Sequence, residues 1–197
     1  MADHYFTVSP ESEHLHLSLN YNYRGYSLSF ATDKGVFSRT EIDQGSDLLL
    51  SYLPETLNGS LLDMGCGYGT LGISIAKTIP SLTVDMVDVN ERAILLTKEN
   101  CQKNHVKANV FSSDGFINVT EKYQTIVTNP PIRAGKQVIY AMFKEAKDHL
   151  LAQGALYIVI RKQQGAPSAK TYLETIFPSV SVIGKKSGFW IIQCINN

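Results

Sequence analysis

Two short segments carry residue types whose spacing suits chemistry on a bound ligand: Asp63-Met64-Gly65-Cys66-Gly67-Tyr68-Gly69 and Asn129-Pro130-Pro131. In the first, the glycines remove Cβ atoms, so a chain leaving a strand can turn sharply and a ligand can approach its backbone. The spacing is G-x-G-x-G, not the G-x-G-x-x-G of dinucleotide sites, and Asp63 stands just before it. A carboxylate there repels a pyrophosphate. It accepts instead from the ammonium of an amino-acid moiety, directly or through water. Asp88, in Asp85-Met86-Val87-Asp88-Val89-Asn90, follows at about twenty residues, where an acidic side chain can accept from both hydroxyls of a ribose. Asp85 faces the other way along the same strand, and Asn90 is the better cap for the helix beginning at Glu91. Ser113 and Asp114 come next, offering a carboxylate to an exocyclic amine on a nucleobase, although Asp114-Gly115 is also an ordinary turn dipeptide.

An ammonium, a ribose and an adenine together suit S-adenosylmethionine, with Asp63, Gly65, Cys66, Gly67, Gly69, Asp88, Val89, Ser113 and Asp114 as its expected contacts. Taken alone, the glycine segment could also be a plain β–α turn. The Asn-Pro-Pro segment supplies the complementary chemistry. Two prolines fix φ and remove two backbone donors, leaving a stiff turn that displays oxygens. The Asn129 side-chain oxygen and the Pro130 carbonyl can each accept a hydrogen from a planar amine. That orients its lone pair for in-line displacement at a methyl carbon and tolerates the positive charge that develops. No strong general base is needed, and none stands in Asn129-Pro130-Pro131; Asn129 is expected to touch cofactor as well as substrate.

These residues need strands to end beside them. Leu15, Leu17, Leu19, Tyr21 and Tyr23 alternate with polar residues, Arg24-Gly25 interrupts, and Tyr26, Leu28 and Phe30 resume, which reads as a β-hairpin with one buried face. His14 and His16 fall on its polar side. From residue 46 the pattern becomes strand–helix–strand. Ser46 or Asp47 can cap a helix running to Leu53 before Pro54. Apolar runs follow at Ser60–Met64, Leu82–Val87, Ala108–Phe111, Tyr123–Thr128 and Ala155–Ile160. Helical periods lie between them, with Leu71, Ile75 and Ile79 on one face and Ile139, Met142, Phe143, Ala146 and Leu150 on another. Continuous apolar strands alternating with helices predict a parallel α/β sheet covered on both faces. Val180–Ile183 and Phe189–Ile195, joined through Gly184-Lys185-Lys186-Ser187-Gly188, predict an antiparallel pair at the end. Residues 1–197 are expected to be a single domain, with a hairpin extension and cofactor-covering segment over 1–45 and the core over 46–197.

No run approaches the ~20 apolar residues of a membrane helix, and the chain opens without a basic-then-apolar segment, so a cytoplasmic protein is expected. Cys66, Cys101 and Cys194 are odd in number and lack ligand spacing; they read as reduced thiols, with no metal expected. Net charge is zero, yet residues 1–100 hold six Lys/Arg against thirteen Asp/Glu and residues 101–197 hold twelve against five. The neutral total argues against unspecific gripping of long duplexes, which needs many phosphate contacts. The basic second half hints at a polyanion-facing surface.

The motif order resembles a class I S-adenosylmethionine-dependent methyltransferase acting on a planar nitrogen. Gly35-Val36-Phe37-Ser38, Asp43-Gln44-Gly45-Ser46 with Leu48-Leu49-Leu50, the Asp63–Gly69 loop and Asn129-Pro130-Pro131 are similar to the catalytic domain of RsmC-type 16S rRNA guanine-N(2)-methyltransferases. The resemblance covers nearly the whole chain from about residue 15. It implies a Rossmann-like, mostly parallel seven-stranded sheet with the last strand antiparallel, and Phe37 lining the cofactor pocket. It also implies RNA as partner, with small-subunit rRNA in naked or assembled form. Ile132 stands where such enzymes carry an aromatic that stacks on the target base, a contact worth roughly 1–3 kcal/mol; Phe37 or Tyr140 could take that part. The larger RsmC-type enzymes have a second, related N-terminal domain for substrate recognition. Arg133, Lys136, Arg161 and Lys162, at strand carboxyl ends beside Ile132, are expected to touch the substrate's phosphates. Lys185 and Lys186, in the final hairpin turn, fit ordinary solvated lysines more readily than Arg133 and Lys136 do, and their distance from those strand ends is open. Two other readings stay open: methylation of a glutamine amide, for which Asn-Pro-Pro turns also serve, and a cofactor-binding but inactive assembly partner.

Overall fold

The hairpin comes first, as β1 (Leu17–Tyr23) and β2 (Tyr26–Thr32), followed by α1 (Gln44–Tyr52). Then come β3 (Ser60–Met64), α2 (Thr70–Thr78), β4 (Thr83–Asp88), α3 (Glu91–Lys103), β5 (Asn109–Ser112), β6 (Tyr123–Thr128), α4 (Lys136–Asp148), β7 (Leu150–Arg161), α5 (Ala166–Ile176), β8 (Ser179–Lys186) and β9 (Phe189–Ile195). The structure is a computed structural model that describes residues 17–33 and 41–197. Gly35-Val36-Phe37-Ser38, His14 and His16 therefore lie outside the described residues.

Strands β3 to β9 form one sheet in the order β5-β4-β3-β6-β7-β9-β8. Every pairing from β5 to β7 is parallel, and β9 runs antiparallel to both β7 and β8. The last strand alone is reversed, because the two-residue turn Ser187-Gly188 sends it back between its neighbours. Both turn residues have positive φ (51° and 79°), the twist that tight hairpins require.

Consecutive residues of the central strands serve different cores. Leu61 and Val127 face α1, α2, α3 and the hairpin, whereas Leu62 and Ile126 face α4 and α5. Two apolar cores on opposite faces explain why these strands read as unbroken apolar runs.

Three details differ from the sequence expectation. The cap of α1 is Asp43, whose Oδ2 accepts from Ser46 N–H at 2.8 Å, so the helix starts before Ser46. Strand β7 begins at Leu150, well before Ala155, and an irregularity with Gln153 at φ 60° bends its start. Leu150 thus belongs to the sheet, not to α4. The β8–β9 turn takes two residues, not five, because strand pairing extends to Lys186↔Phe189.

The β1–β2 hairpin forms its own two-stranded sheet and docks through polar side chains. Asn100 on α3 accepts from Ala31 N–H at 2.6 Å and donates to Ala31 O at 2.9 Å and Tyr68 O at 2.8 Å. Asn104 repeats the pattern one turn later on Ser29. These amides act as a substitute ladder for the inner hairpin strand. Arg24, at the hairpin turn, donates to the Leu53 and Pro54 carbonyls at 2.7 and 3.1 Å and ties the end of α1. Replacing Asn100 by Ala leaves buried backbone groups unpaired, so we expect a loss of about 2 kcal/mol, read as a lower urea midpoint at unchanged slope.

Candidate active site

The parallel strands bring their carboxyl ends to one edge, with Met64 beside both Val87 and Thr128 in register. The glycine loop, Asp88 and Asn129 therefore meet although they are far apart in the chain. Gly65 and Gly67 have φ of 71° and 59°, a left-handed path that would strain other residues.

The N–H groups of Gly65, Cys66, Gly67 and Gly69 are already committed. Gly65 and Cys66 both donate to Val87 O at 2.9 Å, Gly67 donates to Asp88 Oδ2 at 2.9 Å, and Gly69 donates to Cys66 O at 2.9 Å. In a phosphate-cradling loop such donors point at the anion. Here they brace the protein, and the polar groups left at the strand tips are carboxylate oxygens.

Asp63 is buried, with Oδ2 accepting from Gly72 N–H at 2.8 Å. Its Oδ1 is also buried and has no hydrogen-bond partner among the described residues. Burial pushes its pKa up to about 7, against the lowering effect of the Gly72 N–H and with a further push from Asp88. An orphaned carboxylate oxygen suits an ammonium group. Asp88 is held by Gly67 N–H and by Asn90 N–H at 2.9 Å on Oδ1, which fixes its orientation at the strand tip. Asn90 caps α3 by accepting from Arg92 and Ala93 N–H. Asp85 points away and takes the Tyr123 hydroxyl at 2.5 Å. The expected cofactor, with its ammonium and its ribose, fits this set of groups.

The other expected contacts differ in what they offer. Cys66 turns its thiol inward, with Sγ 3.7 Å from Thr97 Oγ1, and burial pushes that thiol's pKa well up, so only its backbone serves the loop. Val89 is half-buried beside Asp88. The Ser113 hydroxyl donates to Gly115 O at 2.7 Å and accepts from Asn118 N–H at 3.1 Å, shaping the turn on which Asp114 stands exposed. Phe37 lies outside the described residues.

The Asn129 side chain is anchored by Asp43, which stands in the Asp43-Gln44-Gly45-Ser46 segment. Its Nδ2 donates to Asp43 Oδ2 at 2.7 Å and to Ser46 Oγ at 3.1 Å. A carboxylate only accepts, so the amide must turn its NH₂ to Asp43 and its oxygen away. Asp43 sits at the head of α1, and Gly45 lets it approach: a Cβ there would lie 2.9 Å from Asp43 Oδ2 and 3.1 Å from the Phe189 ring. The signal available in sequence was Asp43 three residues before Ser46, a capping spacing. Thr97, which donates to Gly67 O at 2.8 Å, carried no such signal.

Pro130 O already accepts from Ile132 N–H at 2.9 Å and Pro131 O from Ala134 N–H at 2.8 Å, closing a short 3-10 turn. A carbonyl has two lone pairs, so Pro130 O can still take a second donor. Ile132 is half-buried against the α4–α5 core. Tyr140 is no free substitute for an aromatic at position 132: its ring stacks on Tyr172 with centroids 4.0 Å apart, and the Lys136 ammonium lies 5.1 Å from its centroid. Arg133, Lys136, Arg161 and Lys162 are exposed and have no acidic partner among the described residues.

Residues 27–193 match the family described as methyltransferase small domain. The chain belongs to that family. Among relatives of this methyltransferase small domain chain, the uncharacterized protein YbxB of Bacillus subtilis (strain 168) is 43% identical over 197 residues, 98% of either chain. The ribosomal RNA small subunit methyltransferase C of Psychromonas ingrahamii is 34% identical over 88% of this chain. A solved structure of the T. thermophilus 16S rRNA N2 G1207 methyltransferase RsmC, in complex with AdoMet and guanosine, superposes with a TM-score of 0.84 at 26% identity over 93% of this chain. This chain spans about half the length of those two, 50% and 51% respectively. Among the described residues no helix of the methyltransferase domain is long and apolar enough to cross a membrane.

Proposed function

We propose that this methyltransferase uses S-adenosylmethionine to methylate the exocyclic amine of a guanine in small-subunit ribosomal RNA. The observation that carries the reading is the hold of Asp43 Oδ2 on the Asn129 NH₂, which turns the amide oxygen away from Asp43 and leaves it available as an acceptor. S-adenosylmethionine, when bound, supplies a methyl carbon on a positively charged sulfur. Asn129 Oδ1 and the free lone pair of Pro130 O accept the two hydrogens of the guanine amine and hold its lone pair toward that carbon. As the carbon–nitrogen bond forms and the carbon–sulfur bond breaks, positive charge grows on nitrogen, and the two oxygens stabilise it. The extra proton then leaves to water. Similarity to relatives named for 16S and small-subunit rRNA supports the substrate class. Arg133, Lys136, Arg161 and Lys162 bind its phosphates, and Ile132 lies against the base.

The test is transfer of labelled methyl to unmodified ribosomal RNA and to assembled small subunits, followed by nucleoside digestion. A labelled 2-methylguanosine peak is expected. Label in a protein amide instead would replace the substrate, and cofactor binding without any transfer would make the chain an inactive partner.

Cofactor affinity should depend on pH through Asp63, whose ligand-free pKa of about 7 lies above that of an unfolded carboxyl. The native state therefore binds a proton more tightly than the unfolded one, and the ligand-free protein loses stability as pH rises toward 7. An ammonium beside Asp63 favours the carboxylate, so the sign reverses for binding. Affinity for S-adenosylmethionine should rise roughly tenfold between about pH 6 and about pH 8 and level off above. Calorimetry in two buffers of different ionisation enthalpy should show proton release below pH 7. A flat affinity in Asp63→Asn, against a slope in the parent, would assign the effect to this carboxyl.

A further inference from the structure

Strand β7 does not stop level with its neighbours. Thr128, the last residue of β6, pairs with Ile158, so Arg161 stands three residues beyond it, roughly 10 Å past the end of β6 at strand rise. Strands β9 and β8 rise with it, pairing Arg161↔Phe189 and Lys186↔Phe189 in one row and Ile160↔Trp190 and Lys185↔Trp190 in the next. Lys162 N–H donates to Gly188 O at 2.7 Å, which fastens the β8–β9 turn to the segment leaving β7. The outer three strands thus form a raised wall beside the Asn-Pro-Pro turn, and Lys185 and Lys186 are at its top.

Among the described residues the charge of this wall is uncompensated. From residue 149 to the end the chain has Arg161, Lys162, Lys170, Lys185 and Lys186 against a single acid, Glu174, which pairs with Lys170 on α5. The other four cations are exposed and have no acidic partner among the described residues. Two of them are seated on aromatic rings: Arg161 lies 4.4 Å from the Phe189 centroid and Lys185 lies 4.2 Å from that of Trp190. Ring contact orders the aliphatic stems without neutralising the charge.

Resting on the RNA reading above, we propose that the tip of the β8–β9 hairpin is an RNA-binding arm, in which Lys185 and Lys186 contact phosphates flanking the target nucleotide. Strand β8 is three positions from β6 in the sheet, roughly 14 Å at the usual strand spacing. That separation places the two lysines over neighbouring nucleotides, not over the reacting base. The arm supplies affinity and register to single-stranded or splayed RNA, which phosphate contacts do without reading sequence.

The experiment measures binding of a fluorescent, unmodified small-subunit rRNA fragment across a salt series, with S-adenosylhomocysteine present. It compares the parent with Lys185→Ala/Lys186→Ala and, as an off-wall control, Lys170→Ala. Removing two phosphate contacts should lower the salt slope by about 1.4 and weaken binding roughly tenfold at about 0.15 M salt. S-adenosylmethionine affinity and kcat at saturating RNA should not change, and Lys170→Ala should behave as the parent. Parent-like RNA affinity and slope in the double variant would overturn the arm while leaving the methyltransferase reading intact. Self-association of the double variant with unchanged RNA affinity would do the same, and would assign the lysines to guarding an edge strand. A parent chain that binds no RNA overturns both.

Discussion

Asn129→Ala should bind S-adenosylmethionine nearly as the parent does and lose methyl transfer by roughly 10²–10³ in kcat, the scale seen when one preorganised group facing developing charge is removed. In the proposed reaction the amide oxygen meets the nucleophile as it turns cationic, so its loss should fall on the transition state more than on binding. The geometry adds a finer expectation. Asp43 and Ser46 hold the Asn129 NH₂, and without that hold the amide could present nitrogen where oxygen is needed. Asp43→Ala should therefore lower kcat, by less than Asn129→Ala, and also cost about 1 kcal/mol of stability through the lost cap of α1. Because the two residues act as a unit, the double variant should be no slower than Asn129→Ala alone. Single-turnover rates together with cofactor titrations decide it. Parent-like turnover in Asn129→Ala would remove the assigned role of the turn, and additive losses would separate Asp43 from it.

Asp88→Ala should raise the dissociation constant for S-adenosylmethionine roughly a hundredfold, since hydrogen bonds to a charged group are worth about 1.5–3 kcal/mol each and two ribose hydroxyls lose their acceptor. The same carboxylate receives Gly67 and Asn90 N–H, so the alanine also loosens the glycine loop. Asp88→Asn keeps the shape and an acceptor oxygen and should fall between. With cofactor at saturation, much of the rate should return in both, because the proposed role of Asp88 is to hold the ribose and not the reacting methyl. Calorimetric titration with S-adenosylhomocysteine checks the first part and kcat at high cofactor the second. An unchanged dissociation constant in Asp88→Ala would move the ribose elsewhere.

Asn129 and Asp88 could be picked out before any tertiary contact was known. The order of apolar runs, the G-x-G-x-G spacing after Asp63, Asp88 and the Asn-Pro-Pro turn are local properties of the chain. Periodicity places strands, and in a parallel sheet each strand's carboxyl end falls on the same edge, so residues that close strands must meet. Even the reversal of the last strand was legible, because positions 184–188 could only turn the chain back.

What the sequence did not contain is which distant residues share a contact. Asp43 and Asn129 are 86 residues apart and meet because α1 packs over β7 and β9 with only a hydrogen at Gly45 in between. From the chain alone Ser46 or Asp47 was the expected cap, and Asp43 stood out only within the segment that carries the resemblance. The same holds for Lys185 and Lys186, which read as solvated charges on a terminal hairpin. Their place above the active edge depends on β9 entering between β7 and β8 and on β7 overrunning β6 by three residues. The commitment of the loop N–H groups to Val87 and Asp88 is equally tertiary, since it needs β4 beside β3. Spacing along the chain determined which groups stand at the strand ends; the packing of helix α1 and the order of the outer strands decided which way the Asn129 amide faces and where the positive charge collects.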